Sequence, residues 1–321
     1  MNFKPILIVA GEPNSIFLEI FLKSIKNKKI KNPIILIASL KLLQQQMRKL
    51  KVNKKINIII NNNIKSNIIK KNEINLINVN YYQKRAFEKI SKKSNKYISD
   101  SFILAFNLIK KFKISKFING PINKKTFLNK NYLGITEYVS KKFNVNKTAM
   151  LIYNKKLSVC PLTTHLPLKY VARNINKENI IDKVKLIDEF YKTKLKKKPK
   201  IAVLGLNPHC ESVDKYNEDE RIIFPTIKYL KKRNFKVSGP HSADTIFLKN
   251  NRKNYDVILG MYHDQVLTPI KTLFEYDAIN ITLGLPFTRI TPDHGPNEKM
   301  MGKNLSNPLS LILAINFLEK N

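Results

Sequence analysis

The sequence predicts an α/β fold of about two domains with a cleft between them, and three observations predict it. Short apolar runs alternate with longer stretches of helical periodicity, the pattern of strands joined by helical crossovers. At 321 residues the chain is longer than one comfortable core and divides into about two domains. Three apolar runs lead straight into histidines, at LSVCPLTTH, IAVLGLNPH and VILGMYH. In open α/β sheets the loops leaving the carboxyl ends of strands converge on one crevice, so these histidines are placed to meet.

The first apolar run, within MNFKPILIVAGEP, stops at Gly11 and reads as a strand. Gly11 to Pro13 turn the chain, residues 16–25 carry helical periodicity, and a second strand-like run covers 34–38, a βαβ opening. From 51 to 80 lysine, asparagine and isoleucine dominate, so no strand is placed and the stretch reads as a variable surface region. Between 82 and 113, Phe87, Ile90, Ile98, Phe102, Leu104, Ala105, Leu108 and Ile109 recur at helical spacing and predict one or two long helices. A strand at 117–118 runs into the loop Asn119-Gly120-Pro121.

Further strands are predicted at 149–153 and 157–162, followed by a helix-rich stretch over 168–195. The charged linker KLKKKPK closes that stretch, with Pro199 as its stop. Strands recur at 201–206, 235–238, 257–260 and 278–283, with helices between them and no internal repeat.

Composition narrows the function. Hydrophobic residues at 43% and charged residues at 26% are ordinary for a soluble globular protein. A formal net charge of +36 attracts polyanions, yet the lysines are spread through nearly every segment and arginine is scarce. No basic face with interleaved aromatics and no nucleic-acid module is present, so the lysines read as solvated helix faces and no specific nucleic-acid partner is expected. Cys160 and Cys210 have no paired spacing and suit a reducing cytoplasm. The first apolar run is too short for a signal peptide, and none approaches membrane-spanning length; no membrane partner is expected.

His165, His209 and His263 are the candidate ligands of one divalent ion, because imidazole is the commonest zinc ligand and three protein ligands leave a position open for substrate. A histidine at a strand end also serves as a hydrogen-bonded structural residue, so each carries both readings. Beyond His263, Lys271, Asn280 and Arg289 offer an ammonium, an amide and a guanidinium fork suited to carboxylate or phosphate. Asp244 and Asp264 are candidates to orient the histidines from behind; Asp244, before Thr245 and an apolar run, reads equally as a helix cap.

The nine glycines stand at 11, 120, 134, 205, 239, 260, 284, 295 and 302, a spacing that contains no G-x-G-x-x-G. A standard Rossmann dinucleotide site is therefore disfavoured, and neither a P-loop nor a G-x-S-x-G elbow is present.

Nine segments occur in the order of one family: GEP (11–13), NGPINK (119–124), TEY (136–138), TTHLPL (163–168), GLNPH (205–209), SADT (242–245), YDVILGMYHDQ (255–265), NITLGLPFTR (280–289) and DHG (293–295). From end to end the chain resembles the 4-hydroxythreonine-4-phosphate dehydrogenases of pyridoxal phosphate biosynthesis. The resemblance implies a homodimer with a fold like isocitrate and isopropylmalate dehydrogenases, not a Rossmann fold: two α/β/α domains with a cleft between them and an active site shared between subunits. Residues 1–130 with about 290–321 would form one domain; 131–289 would form the other, with most metal and substrate residues and the dimer interface.

It also implies NAD, or NADP, bound without a Rossmann fingerprint, and one divalent ion (zinc, magnesium or cobalt) on His165, His209 and His263, one of them from the partner subunit. Substrate contacts fall on Thr136, Lys271, Asn280 and Arg289. The implied reaction oxidises 4-phosphohydroxy-L-threonine to a β-keto acid, which decarboxylates to 3-amino-2-oxopropyl phosphate. No residue is singled out as the general base.

Three departures stand against the family pattern. Ile135 replaces a histidine before the threonine of TEY, Asn14-Ser15-Ile16-Phe17 replaces a glycine-rich turn, and His241 stands where an apolar or small residue is expected and reads as incidental. His294 reads as structural rather than as a cofactor contact. Ile135 also keeps open a sister enzyme acting on another phosphorylated 3-hydroxy acid such as 4-phosphothreonate; the remaining alternative is a non-catalytic remnant that holds polyanions by charge.

Overall fold

Four consecutive residues with no solvent exposure, Ile6–Val9, form the first strand, β1. Continuous burial of this kind requires cover on both faces of a sheet, as in parallel α/β folds. The computed structural model describes residues 4–26, 30–60, 64–128, 132, 134–214, 216–292 and 294–320. The chain divides into two units, Met1–Phe143 with Pro286–Lys320, and Asn144–Leu285.

The first unit continues with α1 (Phe17–Lys26), β2 (Ile34–Ala38), α2 (Leu40–Lys49), β3 (Ile56–Ile58), β4 (Ile74–Asn78), α3 (Asn95–Phe112), β5 (Lys116–Asn119) and α4 (Ile135–Lys142). The second contains β6 (Ala149–Tyr153), β7 (Ser158–Pro161), α5 (Lys177–Lys194), β8 (Ile201–Leu204), α6 (Phe224–Lys232), β9 (Val237–His241), α7 (Ala243–Ile246), α8 (Lys249–Arg252), β10 (Val257–Gly260), α9 (His263–Phe274) and β11 (Ile279–Leu283). The chain then returns to the first unit as β12 (Thr288–Thr291) and α10 (Leu309–Lys320).

In the first unit the strand order is β3-β4-β2-β1-β5-β12, parallel throughout. Helix α3 packs on β1 and β2, while α1 packs on α2 and α10. A cluster of rings fills the space beside β5: Phe117 meets Phe102 edge-on at 6.5 Å and Phe287 at 5.9 Å, and Phe287 meets Phe143 at 4.7 Å. These edge-to-face contacts tie the segment before β12 to the first unit. Lys116, buried within β5, donates its ammonium to the Leu318 carbonyl at the end of α10, where unpaired carbonyls favour a cation.

The second unit has the order β11-β6-β7-β10-β8-β9. Its β11–β6 and β6–β7 pairs are antiparallel and the rest parallel. Ile258, Val159, Ala202 and Leu204 from the sheet and Val266 and Ile270 from α9 share one core. Helix α9 packs on β7 and β10, which fixes its first turn at the carboxyl end of both strands.

Several elements differ from the sequence-based expectations. The stretch 51–80 is not only surface: β4 lies inside it, with Leu76 and Ile77 fully buried. The helix expected from residue 82 begins at Asn95, because 81–90 are held in an irregular path by side chains. There Gln83 and Asn14 exchange amide hydrogen bonds at 3.1 and 3.0 Å, and Glu88 Oε1 accepts the Lys84 and Arg85 N–H groups at 2.9 and 3.2 Å. The helix over 168–195 is two single 3₁₀ turns and then α5. Strand β12 was not anticipated, and residues 134–143 and 286–289, grouped above with the second domain, belong to the first unit.

Candidate active site

Parallel strands β7 and β10 leave the sheet side by side, in register at Gly260 and Pro161. Their chains stay joined beyond the sheet: Leu162 N–H donates to Gly260 O at 2.7 Å, and Thr163 donates to Met261 O through its backbone at 3.3 Å and its hydroxyl at 2.8 Å. This ladder sets the rings of His165 and His263 with centres 6.0 Å apart and planes inclined at 37°. Two imidazoles on one tetrahedral ion, each at a metal–nitrogen distance of about 2.0–2.1 Å, have ring centres roughly 5 Å apart, so the two rings stand close together but about 1 Å wider than a shared ion would draw them. His263 opens α9, and its Nδ1 lies 2.6 Å from Asp264 Oδ1. A carboxylate on one ring nitrogen orients the imidazole and leaves the other nitrogen for a ligand.

The third predicted histidine is held elsewhere. Among the described residues no three His, Cys, Asp or Glu side chains gather closely enough to hold a metal ion. His209 is exposed on the loop after β8, with φ at 56°, next to Cys210 at 64°. Left-handed backbone at two successive non-glycine residues persists only where the surroundings enforce it. Asp219, 1% exposed, anchors the start of this loop: it accepts the Leu206 N–H at 2.7 Å, the Asn207 N–H at 3.0 Å and the Asn207 side-chain amide at 2.9 Å. Gln265 adds a tie, donating to Gly205 O at 2.8 Å and accepting from Met261 N–H at 2.7 Å. The loop of His209 is thereby fastened to the turn that carries His263.

His209 lines a cavity of about 340 Å³ with Cys210, His241, Ser242 and Tyr255. His241 is not incidental: its Nε2 lies 2.8 Å from Ser238 Oγ and 3.2 Å from Tyr255 Oη. Burial lowers its pKa. Asp244 lies exposed in the first turn of α7, whose N-cap position is Ser242.

A second group forms in the first unit, where β12 runs parallel to β5 with Arg289 opposite Phe117. Arg289 Nε donates to Asn119 Oδ1 at 2.8 Å and its Nη1 to Thr136 Oγ1 at 3.1 Å. Arg289 is 1% exposed; burial brings its pKa down to about 10, opposed by the nearby Glu137 charge, so it stays protonated at neutral pH. Ile135 and Thr136 begin α4. Lys271, half-buried on α9 with its pKa lowered by burial, and Asn280, on β11 opposite Ile152, belong to the second unit.

Near the end of β1, Glu12 is 2% exposed, and burial raises its pKa to about 7. It accepts the Asn14 N–H and the Ser94 hydroxyl, each at 3.2 Å. His294 is largely buried, with its ring 6.1 Å from Phe17, and burial lowers its pKa. Asp293 of the DHG segment lies outside the described residues. Asn119, Asp219, Gln265 and Glu12 were not picked out from the sequence. Glu12, Asn119 and Gln265 sit inside motifs that the sequence displays, whereas nothing local marks Asp219.

The pyridoxal phosphate biosynthetic protein PdxA family matches residues 29–318. Over 316 residues, 96% of this chain and 95% of the relative, the chain is 38% identical to a 4-hydroxythreonine-4-phosphate dehydrogenase of Sulfurihydrogenibium sp. (strain YO3AOP1). Over 222 residues, 66% of this chain and 68% of the relative, it is 32% identical to a D-threonate 4-phosphate dehydrogenase of Pectobacterium atrosepticum. The crystal structure of a 4-hydroxythreonine-4-phosphate dehydrogenase from Klebsiella pneumoniae matches with a TM-score of 0.84 at 26% identity, covering 99% of this chain and 98% of that one. A β-decarboxylating dehydrogenase from Thermococcus kodakarensis shares the fold at a TM-score of 0.53 and 11% identity, over 98% of this chain and 82% of that one.

Proposed function

Because the chain belongs to the pyridoxal phosphate biosynthetic protein PdxA family, we propose that it oxidises 4-phosphohydroxy-L-threonine with NAD, and that the β-keto acid formed decarboxylates to 3-amino-2-oxopropyl phosphate. The pairing of His165 and His263, backed by Asp264, carries this reading. His165 and His263 hold one divalent ion, zinc, magnesium or cobalt, with His209 contributed by a second copy of the chain. Exposure of His209, and of Val213, Tyr216 and Phe224 further along the same chain segment, supports a homodimer with a shared site. When bound, the ion supplies Lewis acidity that lowers the pKa of the substrate hydroxyl.

The protein's own groups do the positioning. Asp264 fixes the ring of His263; Thr136 and Arg289 on the first unit, and Lys271 and Asn280 on the second, are each suited to an anionic group of the substrate. Cationic side chains near the carboxylate stabilise the enolate that develops as carbon dioxide leaves. Either NAD or NADP accepts the hydride, without a G-x-G-x-x-G loop. A cytoplasmic location is supported by the two free cysteines, and no helix among the described residues is long and apolar enough to cross a membrane.

The test is NADH formation from 4-phosphohydroxy-L-threonine, with metal analysis of the purified protein. Turnover that a chelator abolishes and a divalent ion restores is the expected result; a folded, metal-loaded protein without turnover overturns it. One observation favours a second substrate: the apolar Ile135 stands beside Thr136 where the resemblance calls for an imidazole, and a relative carries the name D-threonate 4-phosphate dehydrogenase. A higher kcat/KM for 4-phosphothreonate in direct competition would assign the chain to that reaction.

A further inference from the structure

Arg289 is gripped by a neutral oxygen. We infer that Asn119 is a positioning residue for anion recognition: its neutral amide aims the Arg289 guanidinium without adding negative charge beside it. The inference rests on the reading that Arg289 binds the substrate.

The geometry of Asn119 is over-determined. Its Oδ1 accepts Arg289 Nε at 2.8 Å and the Thr291 hydroxyl at 3.3 Å, and its Nδ2 donates to Gly120 O at 2.9 Å. It is 1% exposed at the carboxyl end of β5, between β1 and β12. With Nε held there, the planar fork has one orientation, and Nη1 reaches Thr136 Oγ1 at 3.1 Å. Two substrate-contact candidates 153 residues apart are thus set by one amide.

The choice of an amide has an electrostatic consequence. A carboxylate at 119 would make a stronger, charge-assisted bond to Arg289. It would also add a negative charge where Glu137 already acts on the guanidinium. A phosphorylated substrate would then meet an added negative charge beside the guanidinium, and like charges at close range weaken binding steeply. Asparagine orients the guanidinium without adding this repulsion.

The test is calorimetric titration of metal-loaded protein, in the absence of NAD, with 4-phosphohydroxy-L-threonine and in parallel with 4-phosphothreonate. Asn119→Asp should weaken binding of whichever ligand the wild type takes by about tenfold or more in protein that still unfolds cooperatively, any fall in melting temperature reflecting the lost Nδ2 bond to Gly120 O. In turnover it should raise KM and leave kcat nearly unchanged. Asn119→Ser, which withdraws the acceptor without adding charge, should give a smaller rise in KM. A merely structural Asn119 would show the reverse pattern, a lower melting temperature with unchanged affinity in the folded protein, and that result overturns the inference.

Arg289→Met, with Arg289→Lys as a milder change, separates the two levels of the argument. If the Arg289 variants lose affinity while Asn119→Asp binds like the wild type, the Asn119 inference fails and the substrate reading stands. If the Arg289 variants bind like the wild type, or the wild type binds neither ligand, the substrate reading fails and takes the inference with it.

Discussion

Asp219 stands in the space that a side chain on Gly205 would need: a β-carbon there would lie 2.6 Å from Asp219 Oδ1 and 2.6 Å from Cys210 Sγ. The closeness lets one carboxylate gather the N–H groups of residues 206 and 207 and hold the loop that ends at His209. Asp219→Ala should destabilise the protein by roughly 3 kcal/mol, since buried donors lose their acceptor. Gly205→Ala should also destabilise, through direct overlap. Urea denaturation of both variants checks this, and unchanged midpoints would refute it.

Asp264 sits 2.6 Å behind His263 and is itself mostly exposed, so its removal should leave the fold intact. The expected effect of Asp264→Ala is a loss of about 10–100-fold in metal affinity. Competition with a chromophoric chelator measures it, alongside a melting curve that should not move.

Glu12 links stability to pH. Its carboxyl is raised from the usual 4.5 to about 7 in the folded protein, chiefly by burial, so the folded state binds the proton more tightly than the unfolded chain. This contribution is fully present below the unfolded pKa and is lost as pH rises through about 7. Its size is roughly 3 kcal/mol. Glu12→Gln, which keeps a neutral side chain, should flatten the decline in urea midpoint between pH 4.5 and 7.5; an unchanged slope would count against the assignment.

Ile135 offers no polar atom at the start of α4, next to Thr136. Restoring an imidazole with Ile135→His should raise kcat/KM for 4-phosphohydroxy-L-threonine by about tenfold, the worth of one hydrogen bond to a charged group. A fall for that substrate with no change in stability would show that the apolar side chain is part of the specificity.

Much of the scaffold was legible because burial on both faces writes itself as an unbroken apolar run. Residues 34–38 and 257–260 were placed at their true limits for that reason. Strand β12 escaped because TRIT buries threonine and arginine through partners remote in sequence; Asn119 is 170 residues from Arg289. The site followed the same rule. His165 and His263 were visible as strand-end histidines, whereas Asn119 acquires meaning only when β5 and β12 become neighbours and Asp219 only when the loop after β8 folds back onto it.

The strand ends that carry His165 and His263 are held together largely by main-chain ladder bonds beyond β7 and β10. Peptide groups are common to every residue type, so such a frame is indifferent to most substitutions nearby. A lineage whose coding has slid toward lysine, asparagine and isoleucine can therefore rewrite its exterior extensively while the two imidazoles keep their separation.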